Sequence, residues 1–268
     1  MTIDPDVDVT HDHLLNKTVA ITQPKTGYRV GTDAILLAAS VPQQTKRILD
    51  MGCGVGGVAL CIARRLCDVL VAKTQKPDAH LTNVHITAIE IDPDMVALAE
   101  QNIIDNELGA YIRLLKGDIT AMSPVLANSF DHVVSNPPYH DTRGTRPQNR
   151  SRALAHMGED TKLADWVKAA IWATKPRGRI SFICRADRAS ELITAFESNG
   201  AGETLLCPLW PRHDAPASRV IIQVRKNITG PGAILPGLVL HNDLGGYTQS
   251  ASHIMQGGAL YLAHPARS

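Results

Sequence analysis

Short apolar runs alternate with amphipathic stretches along most of the chain. Runs of five or six residues, rich in apolar side chains and bounded by glycine, proline or acidic residues, are typical of buried strands. The predicted strands are 47–51, 85–90, 111–115, 130–135 and 178–183. Stretches with an apolar residue at every third or fourth position follow them. The predicted helices are 57–66, 94–106, 162–174 and 189–198.

The order of these elements predicts the fold class. Repeated alternation of strand and helix is typical of an α/β protein with a doubly wound, mostly parallel sheet. Two further runs, 203–209 and 219–225, follow the last helix with no helix between them. They predict a C-terminal antiparallel hairpin. We therefore expect a Rossmann-like sheet of seven strands with this hairpin at its end.

Three regions are predicted along the chain. Residues 1–32 form an N-terminal segment that contributes to the active site, and 33–226 form the main domain. Residues 227–268 form a C-terminal extension. This extension carries only Asp243 and Arg267 as charges, so it is too apolar for a typical disordered tail and is expected to pack on the domain.

Three local features are less regular. The first dozen residues hold four aspartates and are expected to be frayed, with no metal site because no turn glycine supports one. A short helix is expected from residue 33, with Thr32 or Asp33 as its N-cap. Residues 67–84 are mixed and polar, which indicates an insertion in the connection between two core elements.

Composition excludes several classes of protein. The net charge of the 268-residue chain is +1, so any attraction to nucleic acid must come from local clusters of charge. Five cysteines without a framework spacing favour a reducing compartment. The sequence has no secretory signal and no stretch of 18 apolar residues, so we expect a soluble cytoplasmic protein without a membrane partner.

The tetrapeptide Asn136-Pro137-Pro138-Tyr139 is the most informative motif. It follows the predicted strand 130–135, and two prolines end that strand abruptly because neither can donate a ladder hydrogen bond. A carboxamide oxygen and a fixed proline carbonyl at the end of a strand can accept the two hydrogens of a planar amine. The Tyr139 ring can stack on a base that carries the amine. The alternative is a strand followed by a structural proline turn.

Acidic residues end the neighbouring strands. Asp50 precedes the glycines of residues 52–57, which permit a tight turn and close approach to a ligand. The glycine turn alone would fit a dinucleotide fold, but its spacing differs and a carboxylate there favours a cationic or amine-bearing ligand over a pyrophosphate. Glu90 can accept ribose hydroxyls, and Asp118 can accept an adenine amine. Four successive strand ends that carry Asp50, Glu90, Asp118 and Asn136 predict one ligand site.

These ordered motifs resemble the class I S-adenosylmethionine-dependent methyltransferases. The segment Gln23–Leu37, with Gly27-Tyr28-Arg29 and Gly31-Thr32-Asp33, resembles the bacterial tRNA1(Val) adenine N(6)-methyltransferases within that class. The resemblance implies a Rossmann-like methyltransferase fold, S-adenosylmethionine as cofactor and catalysis by Asn136, Pro137 and Tyr139. The cofactor-binding residues that it implies are Tyr28, Arg29, Asp33, Asp50, Gly52, Cys53, Gly54, Gly56, Glu90, Ile91, Asp118 and Asn136.

The acceptor is less well defined by sequence. The segment 140–156 contains Arg143, Arg146, Arg150 and Arg152, which suit phosphate contacts of an RNA, most simply tRNA; the alternative is a solvated loop. A second basic cluster is Arg212, His213, Arg219, Arg225 and Lys226. The amine clamp also fits a protein glutamine or an rRNA guanine or adenine, and a non-enzymatic RNA-binding subunit remains a further alternative.

Overall fold

The structure is a computed structural model of the full chain. It describes residues 8–27, 29–74, 84–138 and 162–263.

A mixed β-sheet forms the centre of the molecule. Within the described ranges it has nine strands in the order β10-β8-β9-β7-β6-β3-β4-β5, with β11 also paired to β8. Its strands are β3 Arg47–Met51, β4 His85–Glu90, β5 Ile112–Lys116, β6 Phe130–Ser135, β7 Thr174–Arg185, β8 Ala201–Trp210, β9 Arg219–Lys226, β10 Ala233–Ile234 and β11 Leu238–Val239.

Helices cover both faces of this sheet. They are α1 Thr32–Ala39, α2 Gly57–Thr74, α3 Pro93–Asp105, α4 Leu163–Ala173, α5 Ala189–Ser198 and α6 Gln249–Met255. One buried apolar cluster contains side chains of α1, α2 and α3, and a second contains side chains of α4 and α5. The sheet therefore separates two cores, as a doubly wound fold requires.

The predicted α/β class is confirmed. Strands β3, β4, β5, β6 and β7 are parallel, and β9 lies antiparallel to both β7 and β8. The seven longer strands of the sheet are those expected from the sequence; the two-residue strands β10 and β11 come from the extension and were not predicted.

Three local expectations are wrong. Helix α2 continues through Thr74, so part of the expected insertion is helical, and residues 75–83 lie outside the described ranges. The N-cap of α1 is Gly31, without a side-chain cap bond. The expected frayed start contains strand β1, Val9–Leu14, which pairs antiparallel with β2, Val19–Pro24.

Two asparagines, Asn102 of α3 and the C-cap Asn106, hold this N-terminal hairpin. Asn102 accepts from the Thr22 N–H (2.7 Å) and donates to the Thr22 carbonyl (2.9 Å). One turn later, Asn106 accepts from the Ala20 N–H (2.9 Å) and donates to the Ala20 carbonyl (2.7 Å). The two carboxamides thus pair with backbone N–H and C=O groups on the outer edge of β2, as a third strand would. This pairing explains why a charged segment forms a regular hairpin here.

The C-terminal extension contacts the body at several points. Strands β10 and β11 pair with β8, and the Leu260 N–H donates to the Ala39 carbonyl (2.9 Å). Arg65 of α2 is 2% exposed and donates to the carbonyls of Ala38 and Gly257, at the ends of α1 and α6. Its guanidinium faces carbonyls at two helix C-termini, where a cation is favoured. The three-region division remains a prediction.

Candidate active site

Four polar strand ends meet at one edge of the sheet. The strands β6, β3, β4 and β5 are adjacent and parallel, so Asn136, Asp50, Glu90 and Asp118 lie side by side at their carboxyl ends. In the register, Met51 pairs with both Ser135 and Ile89. The chain winds outward in opposite directions from β3 and β6, and this switch point is where open α/β sheets bind ligands.

The glycine turn after β3 has a backbone that other residues would strain. Gly52, Gly54 and Gly56 have φ angles of +65°, +56° and +89°. A β-carbon on Gly52 would lie 2.3 Å from the indole of Trp166, which packs from α4 against the turn. The Cys53 N–H donates to the Ile89 carbonyl of β4 (3.0 Å), so the turn is fixed to the neighbouring strand.

Asp50 is buried behind this turn. Its side chain is 1% exposed, and its Oδ2 accepts from the Ala59 N–H in the first turn of α2 (3.0 Å). Burial raises the pKa of Asp50 to about 7, the Ala59 bond opposes this rise, and the charge of Glu90 adds to it. Burial also raises the pKa of the Cys53 thiol well above its usual range. Contact of Asp50 with a ligand stays a prediction.

Glu90 joins the glycine turn to the end of β4. Its Oε2 accepts from the Gly54 N–H (2.9 Å), and its Oε1 accepts from the N–H groups of Ile91 (2.8 Å) and Asp92 (2.9 Å). A carboxylate has about four acceptor positions. Three backbone donors therefore fix the carboxylate and leave Oε2 a further position for a hydroxyl group. Ile91 lies beside it and is half-buried.

The two outer strand ends have different surroundings. Asp118 is the N-cap of a short 3-10 helix, and its Oδ1 accepts from both the N–H and the hydroxyl of Thr120 (2.7 and 2.8 Å). Asn136 is half-buried and Pro137 is buried. The preceding Ser135 donates to the Met51 carbonyl (2.8 Å), which joins the start of the tetrapeptide to β3 at the glycine turn.

The segment before α1 connects the hairpin to this edge. Arg29 donates to Asp12 of β1 (2.8 Å), so its guanidinium is held on the hairpin side. The Val30 side chain covers Gly57, the first residue of α2, where a β-carbon would lie 2.5 Å from it. Asp33 accepts from Arg219, the first residue of β9 (2.9 Å). Cofactor contacts of Arg29 and Asp33 remain predictions.

Comparison with known proteins identifies the family. The model of the methyltransferase small domain matches residues 28–159. A Haemophilus influenzae protein named tRNA1(Val) (adenine(37)-N6)-methyltransferase is 34% identical over 178 residues, which cover 66% of this chain and 70% of that protein. A Tolumonas auensis protein of the same name is 31% identical over 185 residues, 69% of this chain and 70% of that protein.

The chain belongs to the class I S-adenosylmethionine-dependent methyltransferases.

Solved structures agree on the fold. A protein described as a predicted O-methyltransferase from Agrobacterium tumefaciens superposes with a TM-score of 0.67 at 23% identity. The match covers 87% of this chain and 100% of that one.

The site fits the cofactor of its family, S-adenosylmethionine. The glycine turn presents backbone without side chains, and the fixed Glu90 carboxylate keeps one acceptor position beside it. Asp118 stands one strand further along, on the side away from Asn136. In the predicted roles, Glu90 would accept ribose hydroxyls, and Asp50 and Asp118 on the two neighbouring strands would accept amines. These contacts remain predictions, and their order suits a nucleoside-bearing methyl donor.

Several expected residues of the methyltransferase lie outside the described ranges. They are Tyr28, Tyr139 and the four arginines Arg143, Arg146, Arg150 and Arg152. The second basic cluster is divided by the fold: Arg219 begins β9 at the edge that carries Asn136, whereas Lys226 ends β9 at the opposite edge and donates to the Thr174 carbonyl (2.9 Å). Arg225 also lies at that opposite end, so the five residues are not one surface.

One functional link of the methyltransferase was missed by sequence reasoning. Asn102, which holds the hairpin, also donates to the Val55 carbonyl inside the glycine turn (3.0 Å). It is 1% exposed, although it stands on a helix between apolar neighbours. The available signal was a pair of asparagines four residues apart on the buried face of α3, because buried carboxamides require partners.

Two expected absences concern the described residues alone. Among them, no group of three histidine, cysteine, aspartate or glutamate side chains could hold a metal ion. None of the described helices combines the length and the apolar character needed to cross a membrane.

Proposed function

We propose that this methyltransferase transfers its methyl group to the exocyclic N6 amine of an adenine in tRNA. The observation that carries the proposal is the Asn136-Pro137 pair at the end of β6, directly beside the glycine turn of β3. The names of the relatives, which describe methylation of adenine 37 in tRNA1(Val), support the choice of adenine and of tRNA.

The chemistry depends on two acceptors. An exocyclic amine is a poor nucleophile because its lone pair is delocalised into the ring. If the Asn136 carboxamide oxygen and the Pro137 carbonyl accept its two hydrogens, pyramidal geometry is favoured and the lone pair becomes available. Bound S-adenosylmethionine supplies a methyl group already activated on a sulfonium. Positioning and electrostatics then account for most of the acceleration.

The base must leave its stack to reach this edge. Tyr139, the residue after the two prolines, is proposed to stack on the extruded adenine, as aromatic side chains do in enzymes that act on bases. Pro137 is buried, which supports a rigid carbonyl at this point. Rigid acceptors are effective because they need no reorganisation when the amine changes geometry.

Phosphate contacts are assigned to the arginines of residues 140–156. Three arginines of the described ranges at the same edge already have carboxylate partners: Arg185 with Asp187, Arg188 with Glu191 and Arg219 with Asp33. Arg212, in the loop between β8 and β9, is exposed at this edge. The arginine-rich segment therefore offers the larger supply of cations for RNA.

The first test follows labelled methyl groups. The protein and labelled S-adenosylmethionine are incubated in parallel reactions with total tRNA, with rRNA or with protein as the acceptor. The nucleosides of the treated RNA are then analysed by mass spectrometry. We expect N(6)-methyladenine in the tRNA fraction. Label confined to a protein glutamine would favour the alternative acceptor, and binding of RNA without any transfer would favour a non-enzymatic RNA-binding subunit.

Asn136→Ala tests the clamp in the same assay. The variant removes an acceptor used mainly near the transition state, so kcat should fall about a hundredfold or more, while affinity for S-adenosylhomocysteine changes little. Near-normal turnover on tRNA would disprove the clamp.

The arginine segment is tested by the salt dependence of binding. Each phosphate contact contributes roughly 0.7–0.9 to the slope of log affinity against log salt. Replacing Arg143, Arg146 and Arg150 together should reduce that slope by about two units and raise the KM for tRNA. Arg47→Ala is the control, because Arg47 is exposed at the opposite edge of the sheet. An unchanged slope in the triple variant would indicate a solvated loop.

A further inference from the structure

A groove separates the N-terminal hairpin from the C-terminal helix α6. Its volume is about 520 Å³, within the range of pockets that hold one small ligand. Leu14 and Ile35 contribute a buried apolar floor, and Met255 closes it from α6. The groove contains none of the strand-end residues described above, and of the predicted cofactor contacts in the described ranges it includes Arg29.

One wall of the groove is aromatic. Tyr247 is 40% exposed, and its ring stacks on His241 with centroids 5.0 Å apart and planes inclined by 18°. The histidine thus fixes one face of the tyrosine, so little conformational entropy is lost when a planar ligand contacts the other side. Gln256 and Ser252 add hydrogen-bonding groups to the same wall.

The hairpin side of the groove carries Lys17, an ion pair between Asp12 and Arg29 (2.8 Å), and a conformationally strained turn. Leu15, Asn16 and Lys17 have φ angles of +47°, +51° and +70°, three consecutive left-handed residues without a glycine. The N–H and the hydroxyl of Thr18 both donate to the Leu15 carbonyl (3.1 and 2.8 Å) and hold this turn. Such strain persists where the surrounding structure enforces it, and it often occurs at functional sites. Lys17, at the end of this strained run, lines the groove.

The groove approaches the catalytic edge. Gly31 and Thr32 line it, and the next residue, Asp33, accepts from Arg219 at the edge where β6 ends. The groove therefore lies near the edge of the sheet where β6 ends.

We propose that this groove binds one unstacked nucleotide of the substrate RNA that flanks the methylated base. The base stacks on Tyr247, and the phosphate contacts Lys17. The inference rests on the proposed function, because it assumes that RNA is the acceptor. Sites for single-stranded nucleic acid commonly combine an aromatic side chain and a cation in one groove, and each stacked base contributes about 1–3 kcal/mol.

The test compares tyrosine variants in binding to unfractionated tRNA. Tyr247→Leu keeps the apolar volume but removes the planar ring, and it should raise the Kd for tRNA about 5- to 150-fold. Tyr247→Phe should remain within about twofold of wild type, because stacking does not need the hydroxyl. Tyr261→Leu is the matched control: Tyr261 belongs to the same extension, is 80% exposed and does not line the groove. Affinity for S-adenosylhomocysteine should be unchanged in all three variants.

A second variant covers the case in which Tyr247→Leu does not fold. Lys17→Gln changes an exposed side chain and should reduce the salt slope of tRNA binding by roughly 0.7–0.9. If the wild type methylates RNA and a folded Tyr247→Leu variant binds tRNA as tightly as the wild type, the nucleotide-binding role of the groove is overturned and the proposed function is not. Absence of RNA methylation by the wild type would overturn the proposed function as well. A third outcome is that the wild type binds AMP with micromolar affinity and that Tyr247→Leu loses this binding while its affinity for tRNA is unchanged. This result would overturn the RNA contact and assign the groove to a free nucleotide.

Discussion

Replacement of Glu90 by glutamine should be nearly as harmful as replacement by alanine. The carboxylate accepts from three backbone N–H groups, those of Gly54, Ile91 and Asp92, at 2.8–2.9 Å. These donors approach both oxygens. A carboxamide of the same shape has only one acceptor atom, so its NH2 group must face at least one N–H donor. The isosteric change therefore introduces a donor–donor contact at the glycine turn.

The structure sets the expected magnitudes. A hydrogen bond to a charged acceptor is worth about 1.5–3 kcal/mol. Loss of the hydroxyl contact proposed at Oε2 should therefore weaken cofactor binding roughly 10- to 150-fold in Glu90→Ala. Glu90→Gln keeps one oxygen but distorts the turn, and its Kd should lie within about threefold of the alanine value. The free energy of unfolding should fall by about 1–3 kcal/mol in both variants, because up to three donors lose their charged acceptor.

Calorimetry with S-adenosylhomocysteine measures the affinity, and urea unfolding measures the stability. Glu197→Gln serves as the matched control, since Glu197 is exposed on α5 and far along the chain from the sheet edge. Wild-type affinity in Glu90→Gln would refute the reasoning, because it would mean that neither the charge nor the backbone contacts of Glu90 matter. Tighter binding of NAD than of S-adenosylhomocysteine to the wild type would overturn the cofactor role itself.

Two further changes test buried polar groups near the same turn. Asp50 has a pKa of about 7 in the fold and near 3.8 when unfolded, so between these pH values the native state binds more protons than the unfolded state. Its contribution to the free energy of unfolding should therefore fall by on the order of 4 kcal/mol as pH rises from 4 to 7. Asp50→Asn should abolish this pH dependence in urea unfolding. Asn102→Asp turns a carboxylate toward the carbonyls of Thr22 and Val55, and it should reduce the free energy of unfolding by about 3 kcal/mol or more. The control is Gln101→Ala at the exposed neighbouring position, which should change the free energy of unfolding by less than about 0.5 kcal/mol. Equal stability of these two variants would contradict the bridging role of Asn102.

The core of the fold could be predicted from sequence because its signals are local. The bounds expected for β3, β4 and β6 agree with the structure. Each is a short apolar run that ends at a residue with a clear physical reason to stop: a glycine turn, a proline-started helix or two prolines. The adjacency of Asp50, Glu90 and Asn136 then followed from the rule that parallel strands end at the same edge.

The remaining features depend on contacts between distant parts of the chain. Strand β1 carries histidine and aspartate and has no local strand signal; β2 and the asparagines of α3 provide its surroundings. The second basic cluster looked continuous because Arg219 and Lys226 are close in sequence. A strand of eight residues, however, separates its two ends by about 20 Å or more. Sequence proximity therefore overstated the cluster.

The N-terminal hairpin contributes buried apolar side chains to the main core of the protein and therefore to its stability. Leu14, Leu15, Val19 and Ile21 are all at most 8% exposed and belong to the core cluster that contains α1 and α2. Burial of each side chain contributes about 1.5–3 kcal/mol, so together they contribute about 6–12 kcal/mol. The whole stability of a typical domain is about 5–15 kcal/mol.

Removal of residues 1–31 should therefore unfold the protein rather than trim it. It would expose the apolar surface of the core cluster that these side chains cover, and it would leave the buried carboxamides of Asn102 and Asn106 without the backbone of β2. Because Asn102 also holds Val55 in the glycine turn, even a partly folded remainder should lose cofactor binding. A truncated chain that retains cooperative unfolding and normal affinity for S-adenosylhomocysteine would show that the hairpin serves only the RNA. The distribution of buried residues argues against that result, since the hairpin is bonded through Asn102 to the glycine turn that is predicted to bind the cofactor.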